Sequence, residues 1–185
     1  MKFSKTEIDG LWVIEPQRFG DRRGYFCEVF RLDKFREATG GDVRFIQDNE
    51  SVSTRGVLRG LHMQRGDFGQ AKLVRVSQGR VFDVAVDLRA GSPTRGRWFG
   101  TELSADNGRQ LFIPRGFAHG FMVLSDMAQF QYKVDNVYAP QSELSLRYDD
   151  PTVAVAWPDP DCPLNLSPKD ETGLSLAAVI EILDR

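Results

Sequence analysis

The residues of this 185-residue chain whose types and settings suit acid–base chemistry are its two histidines and a lysine and a tyrosine inside apolar runs. His62 stands in Arg59-Gly60-Leu61-His62-Met63-Gln64. An imidazole titrates near neutral pH, so it can act as a general base. The competing reading is a core histidine bonded to backbone. Lys72 stands in Gln70-Ala71-Lys72-Leu73-Val74-Arg75-Val76. A fixed ammonium stabilises an enolate or a phosphate as negative charge develops; the competing reading is a lysine turned to solvent. Tyr132 stands in Phe130-Gln131-Tyr132-Lys133. It reads either as a proton donor or as a core tyrosine with a satisfied hydroxyl.

Metal chemistry is poorly provided for. His62 and His119 are the only histidines, and His62 is followed by Met63 and Gln64, so the second ligand of an HxH pair is missing. Cys27 and Cys162 are too few for a disulfide scaffold or a cysteine-rich zinc module. No catalytic metal is expected. Arg22 and Arg23 in Asp21-Arg22-Arg23-Gly24, and Arg59 beside His62, read as forked phosphate clamps or as surface ion pairs. There is no GxxxxGK[ST] and no GxGxxG following a strand, which argues against an NTPase or a Rossmann binder.

The elements that must position these groups are short. Glycines and prolines punctuate brief apolar runs, the rhythm of an all-β sandwich or barrel. Strands are predicted at 11–15, 25–30, 44–53, 57–64, 71–77, 80–88, 98–103, 110–113, 116–124 and 129–134, with Ser104-Ala105-Asp106-Asn107-Gly108 as an Asn-Gly hairpin turn. A short helix is predicted over 33–39, capped by Asp33 and stopped by Gly40-Gly41, and another over 174–183. Past about residue 150 the chain becomes irregular and proline-rich, as a tail wrapped on the barrel would.

Side chains repeat every two residues along a strand. Phe82, Val84, Val86 and Leu88 therefore form one apolar face, opposite Asp83 and Asp87. Tyr132 shares a face with Phe130 and Val134, Lys72 with Val74 and Val76, His119 with Phe121 and Val123, and His62 with Leu58 and Gly60. A histidine, a lysine and a tyrosine can thus line one barrel lumen, a natural small-molecule pocket.

Whole-chain properties bound the rest. Lys and Arg number 24 against 26 Asp and Glu, for a net charge of -2, which argues against a general nucleic-acid binder. The start, Met1 followed by KFSKTEIDG, does not read as a signal peptide, and no apolar run reaches membrane-spanning length. One domain over 1–185 in a reducing cytoplasm is expected, with no nucleic-acid or membrane partner.

Read together, Asp21-Arg22-Arg23-Gly24-Tyr25-Phe26-Cys27-Glu28, Phe45-Ile46-Gln47-Asp48-Asn49, Leu58-Arg59-Gly60-Leu61-His62, the Lys72 segment, Gly79–Arg89 and Ile113-Pro114-Arg115-Gly116-Phe117-Ala118-His119-Gly120-Phe121 resemble the dTDP-4-dehydrorhamnose 3,5-epimerase family. Tyr132, Tyr138, Glu143 and Leu166-Ser167-Pro168-Lys169-Asp170 follow in the same order. The resemblance runs from about Ile8 to Asp170. It implies a cupin-type jelly-roll barrel with short peripheral helices, a homodimer in which N-terminal strands cross to the partner, and metal-free, cofactor-free action on a dTDP-linked 4-keto-6-deoxyhexose. It implies His62 as general base with Asp170 as its partner, Lys72 at the enolate oxygen and Tyr132 as general acid. It also implies substrate binding by Arg23, Glu28, Gln47, Asn49, Arg59, His119, Glu143 and Lys169, with Tyr138 stacked on thymine. Met63 stands where the family commonly has an aromatic residue; parity puts it on the face opposite His62, so a packing change is expected. Three other readings stay open: inversion at C3 or C5 alone, a non-catalytic sugar-nucleotide-binding barrel, and a metal-dependent cupin oxygenase.

Overall fold

The computed structural model describes residues 1–185. Thirteen strands form: β1 (Lys2–Lys5), β2 (Trp12–Glu15), β3 (Arg18–Asp21), β4 (Gly24–Cys27), β5 (Gln47–Thr54), β6 (Leu58–Gln64), β7 (Lys72–Gln78), β8 (Arg80–Asp87), β9 (Trp98–Ser104), β10 (Gln110–Ile113), β11 (Phe117–Val123), β12 (Met127–Val134) and β13 (Glu143–Ser145). Helices α1 (Leu32–Thr39), α2 (Pro168–Glu171) and α3 (Leu176–Leu183) lie at the periphery. One sheet runs β1-β2-β10-β7-β12-β5 and the other β13-β6-β11-β8-β9, with every named pair antiparallel. The architecture is a cupin-type jelly roll.

The lumen is filled from both sheets at one end. Val74, Val76, Leu111 and Phe130 from the first sheet meet Val81, Ala85, Leu103 and Phe121 from the second. Phe130 is essentially sealed from water. A side chain of that size stabilises a fold by roughly 1.5–3 kcal/mol through burial. The even face of β8 does not point into this lumen. Val84, Val86 and Leu88 turn outward and are covered by Leu61, Met63, Val153, Leu176 and Val179, so both faces of the strand are buried. Asp83 lies on the lumen side. Met63 takes part in the outer layer, opposite the imidazole of its neighbour. The segment after residue 150 is held on this layer by parallel bridges Val57–Asn165 and Leu146–Leu174.

Several local features depart from the sequence reading. β1, β3, β13 and α2 lie outside the predicted elements: each is three or four residues long, too short for a periodic signal. The Asn107-Gly108 turn is present, with Gly108 at φ +63°, but it does not close a hairpin. β9 pairs with β8, whereas β10 pairs with β2 and β7, so the turn carries the chain from one sheet to the other. Asn107 Oδ1 accepts the backbone N–H groups of Ser104 and Arg109, which fixes this corner without strand pairing. α1 begins one residue early: Arg31 holds the N-cap position without a side-chain bond, and Asp33 sits in the first turn, accepting from Arg31 Nε at 2.7 Å. Its end is as predicted, with Gly40 left-handed at φ +66°.

β3 and β4 form a hairpin belonging to neither main sheet. It carries Phe19, Tyr25 and Phe26 at 55%, 60% and 70% exposure, a largely uncovered apolar surface with the Arg18 guanidinium 4.5 Å above the Tyr25 ring.

Candidate active site

β6 places two site residues through a break in its register. His119 on β11 stands opposite His62, but Phe121 stands opposite Arg59, so two residues of β11 span three of β6. Such a bulge reverses the alternation beyond it. His62 therefore shares the lumen with Arg59, and Leu58 packs outside with Met122 and Leu124. This corrects the simple parity that grouped His62 with Leu58 and Gly60. The bulge brings the two backbones so close that a Cβ on Gly60 would lie 2.5 Å from Gly120 Cα.

Arg59, His62, Lys72, His119, Tyr132, Tyr138, Glu143, Lys169 and Asp170 all line one cavity of about 350 Å³. Five strands and α2 contribute them or flank them. Ser51, Phe121, Phe130 and Ser167 complete the wall and were not singled out from the sequence.

Asp170 is the most heavily bonded carboxylate of the site. It is N3 of α2, so the capping box that starts this single helical turn also aims it at the cavity. Its Oδ2 accepts from Ser167 N at 3.2 Å and Ser167 Oγ at 2.5 Å, and its Oδ1 accepts from Gly60 N at 3.0 Å. His62 Nε2 lies 2.8 Å from the same Oδ1, close but not aligned as a linear hydrogen bond. Burial pushes the Asp170 carboxyl up, but its bonds to His62, Ser167 and Gly60 outweigh that and hold it well below the usual carboxylate range. It is an anion under any ordinary condition.

Lys72 faces the cavity from β7. Burial pushes its ammonium down to about 8, against the opposing pull of Asp83 and Glu143. Tyr132 enters from β12, beside Phe130, whose ring stacks on Phe121 at 4.1 Å. Burial raises the Tyr132 phenol, and Arg59 partly offsets it. Arg59 is steadied by donating Nε–H to Ser53 Oγ at 3.1 Å. At the mouth, Glu143 accepts from Tyr138 Oη at 3.0 Å and from Lys169 Nζ, and Tyr138 is 59% exposed.

Behind this wall, His119 Nε2 lies 2.9 Å from Asp83 Oδ2, with both groups buried. Sequence reasoning misses Asp83 because alternation puts it opposite the apolar face of β8. The available signal was an acid directly between Phe82 and Val84, in the middle of a strand rich in apolar residues on both faces.

The cavity does not gather every predicted residue. Arg23 sits at the exposed tip of the β3–β4 hairpin, paired with Asp21 at 2.6 Å. Glu28 pairs with Lys34 at 2.9 Å, and Gln47 donates to Asn49 Oδ1 at 2.7 Å. Asn49 lines a neighbouring cleft of about 330 Å³ that shares only Tyr132 with the main cavity. Within one chain, then, Arg23, Glu28, Gln47 and Asn49 lie outside the His62 cavity. The reason is topological: β3 and β4 project from the barrel, and Gln47 and Asn49 lie toward the start of β5, on an edge of the sheet. No three His, Cys, Asp or Glu side chains converge into a metal-ligating cluster.

Residues 5–178 match the family model described as dTDP-4-dehydrorhamnose 3,5-epimerase. The chain belongs to that family. The Escherichia coli (strain K12) protein named dTDP-4-dehydrorhamnose 3,5-epimerase is 50% identical over 182 residues, 98% of each chain. The crystal structure of the Legionella pneumophila 3,5-epimerase in complex with dTDP-4-keto-L-rhamnose superposes with a TM-score of 0.94 at 50% identity, covering 98% of this chain and 96% of that one. A Streptomyces niveus relative named dTDP-4-dehydrorhamnose 3-epimerase is 43% identical over 177 residues, 96% of this chain and 84% of its own. As a family member the chain is an epimerase, and no helix in it is long and apolar enough to cross a membrane.

Proposed function

We propose that this epimerase inverts C3 and C5 of dTDP-4-dehydro-6-deoxy-D-glucose, giving dTDP-4-dehydro-L-rhamnose. The observation that carries the reading is the convergence of His62, backed by Asp170, with Lys72 and Tyr132 on one cavity. A C4 ketone acidifies the protons on C3 and C5. Neutral His62 takes one of them, leaving an enolate with its charge on O4. Asp170 stabilises the imidazolium and holds its tautomer, by the logic of a catalytic triad. The Lys72 ammonium meets the O4 charge, which grows only toward the transition state, where binding energy raises rate. Tyr132 delivers a proton to the opposite face of the carbanion. One C–H bond breaks and another forms, and the protons on His62 and Tyr132 re-equilibrate with solvent. Neither a metal nor an organic cofactor takes part in these steps.

Arg59, His119, Glu143 and Lys169 hold the diphosphate and sugar, and Tyr138 at the rim stacks on thymine. Remote contacts of this kind fix the sugar for attack. The chain acts as one domain over 1–185, paired as a homodimer in the cytoplasm. The exposed Phe19, Tyr25 and Phe26 face supports a hairpin that packs on the partner subunit. In that arrangement Arg23 and Glu28, and with them Gln47 and Asn49, complete a substrate site built by two chains.

A C3-only reaction is the second reading, favoured by the Streptomyces niveus relative and by a Streptomyces bikiniensis 3'-monoepimerase structure at 38% identity. One experiment separates them: NMR of dTDP-4-keto-6-deoxyglucose with the protein in D2O, with and without EDTA. Deuterium at both carbons, insensitive to EDTA, is expected. Deuterium at C3 alone selects the second reading, and exchange at neither carbon removes both.

A further inference from the structure

We propose that Ser167 is a positioning residue, whose hydroxyl locks one oxygen of the Asp170 carboxylate so that the other stays aimed at His62. The inference rests on the epimerase reading above and extends its dyad by one residue.

The case begins with how the two carboxylate oxygens are held. The terminal torsion of an aspartate is broad, so the group turns unless both oxygens are bonded. Oδ1, the oxygen 2.8 Å from His62 Nε2, accepts from Gly60 N at 3.0 Å. Oδ2 accepts from Ser167 alone, from Oγ at 2.5 Å and from N at 3.2 Å. Ser167 Oγ also lies 3.4 Å from Asp170 N, as its acceptor, so the hydroxyl proton is the group that meets the carboxylate. Without that proton Oδ2 keeps only the longer backbone bond. The carboxylate then swings about the bond from Gly60 and carries its electron pair off the imidazole.

Ser167 is itself strapped to the strand that carries the base. Asn165 straddles the start of β6: its N–H donates to Gly56 O at 2.9 Å, and its carbonyl accepts from Leu58 N at 3.2 Å. Leu166 packs on Leu58, Met122 and Leu124. Pro168 then sets the backbone of the first turn of α2. Asp170 is therefore registered to β6 by two routes, directly through Gly60 N and indirectly through Ser167. His62 lies on the same strand, just beyond Gly60.

The competing role is a helix cap, since Ser167 is the N-cap of α2 and its capping box uses the same groups. The two roles separate by substitution. Threonine and glycine cap helices about equally well and alanine caps poorly. Of these three only threonine keeps a hydroxyl. A cap ranks Ser167→Thr with Ser167→Gly, whereas a carboxylate lock ranks Ser167→Gly with Ser167→Ala.

The test is kcat and KM for the three variants, read by solvent deuterium incorporation. Ser167→Gly and Ser167→Ala both lose roughly ten- to a hundredfold in kcat, as expected when a catalytic group is held slightly out of place. KM changes little, and Ser167→Thr recovers most of the rate. Nitrogen NMR of the neutral His62 ring adds a readout that needs no turnover: the Nε2–H tautomer dominates in wild type and Ser167→Thr, and the variants lacking the hydroxyl show a mixture. Wild-type kcat in Ser167→Gly overturns the inference and leaves a cap. A Ser167→Thr variant as slow as Ser167→Ala also overturns it, as does a raised KM at unchanged kcat, which marks a substrate contact. If neither Ser167→Gly nor Ser167→Ala folds, Ser167→Cys decides, because its thiol is only a weak donor. Reduced kcat with mixed tautomers then supports the inference, and wild-type behaviour in both overturns it. A wild type that exchanges neither the C3 nor the C5 proton sinks the epimerase reading instead, and the tautomer comparison still decides the role of Ser167.

Discussion

Replacing Asp170 with asparagine exposes how much the site depends on one carboxylate. Three donors bond it, Gly60 N at Oδ1 and Ser167 N and Oγ at Oδ2, and His62 Nε2 lies 2.8 Å from the same Oδ1. The carboxamide of Asp170→Asn offers one acceptor oxygen and one NH2 group. If the amide oxygen faces Gly60 and His62, the NH2 confronts Ser167 N; if it is flipped, the NH2 confronts Gly60 N. Ser167 Oγ can rotate to accept, but neither backbone N–H can. One buried donor is stranded in either pose, at about 1–3 kcal/mol. For a chain of this length each kcal/mol lowers Tm by about 2–4 °C, so Asp170→Asn melts roughly 2–12 °C below wild type. The chemical loss is larger. Without its anion, His62 loses both tautomer control and stabilisation of its protonated form, and kcat falls between about 10² and 10⁴. Both proteins are compared well below their midpoints, with kcat from deuterium incorporation and Tm from calorimetry. Because the folded Asp170 carboxyl lies below its ordinary 3.8, its contribution to stability is present above that pH and is lost as pH falls through the folded value. Wild-type turnover in Asp170→Asn, at any temperature where it is folded, refutes the dyad.

Three further outcomes follow from the same geometry. Lys72→Ala lowers kcat by about 10²–10³, the range for loss of one oxyanion donor, and wild-type kcat declines as pH rises through about 8 because the ammonium is then lost; steady-state rates across pH check both. Tyr132→Phe retains proton abstraction at His62 but slows inversion by about 10²–10⁴, so it accumulates more exchange without inversion than wild type, as NMR of recovered substrate would reveal. Arg23→Ala raises KM, and mixing it with His62→Ala restores one competent site in mixed dimers if Arg23 serves the partner; activity of the mixture no greater than the sum of the two variants contradicts the two-chain site.

Much of the barrel was legible in the sequence because its central strands bury apolar sets at a period of two. β6, β7, β8, β11 and β12 were all found within two residues of their bounds. Tyr132, Lys72 and His119 lie on the lumen that their parity indicated. What escaped was set by tertiary pairing. The bulge in β6 depends on β11, so alternation along β6 alone misplaced Leu58 relative to His62. Asp83 escaped because β8 is buried on both faces, and alternation assumes one wet face. The chain's change of sheet at Asn107-Gly108 escaped because that dipeptide names a turn and not the partner of the strand that follows. Asp170 carried no local signal beyond the cap of a four-residue helix, and only the resemblance pointed to it.

The two-against-three register between β11 and β6 gives this stretch an arithmetic of its own. Flattening the bulge into regular pairing with its three-residue step kept would put Arg59 and His62 on opposite faces and swing the imidazole toward Met63 and Leu144, into the greasy layer that the tail covers. Loops elsewhere on the barrel can drift in length, but here the spacing itself is the catalytic element. A chain that kept every side chain named above but carried a Cβ at Gly60, 2.5 Å from Gly120 Cα, would lose this close approach and with it the face that Arg59 and His62 share.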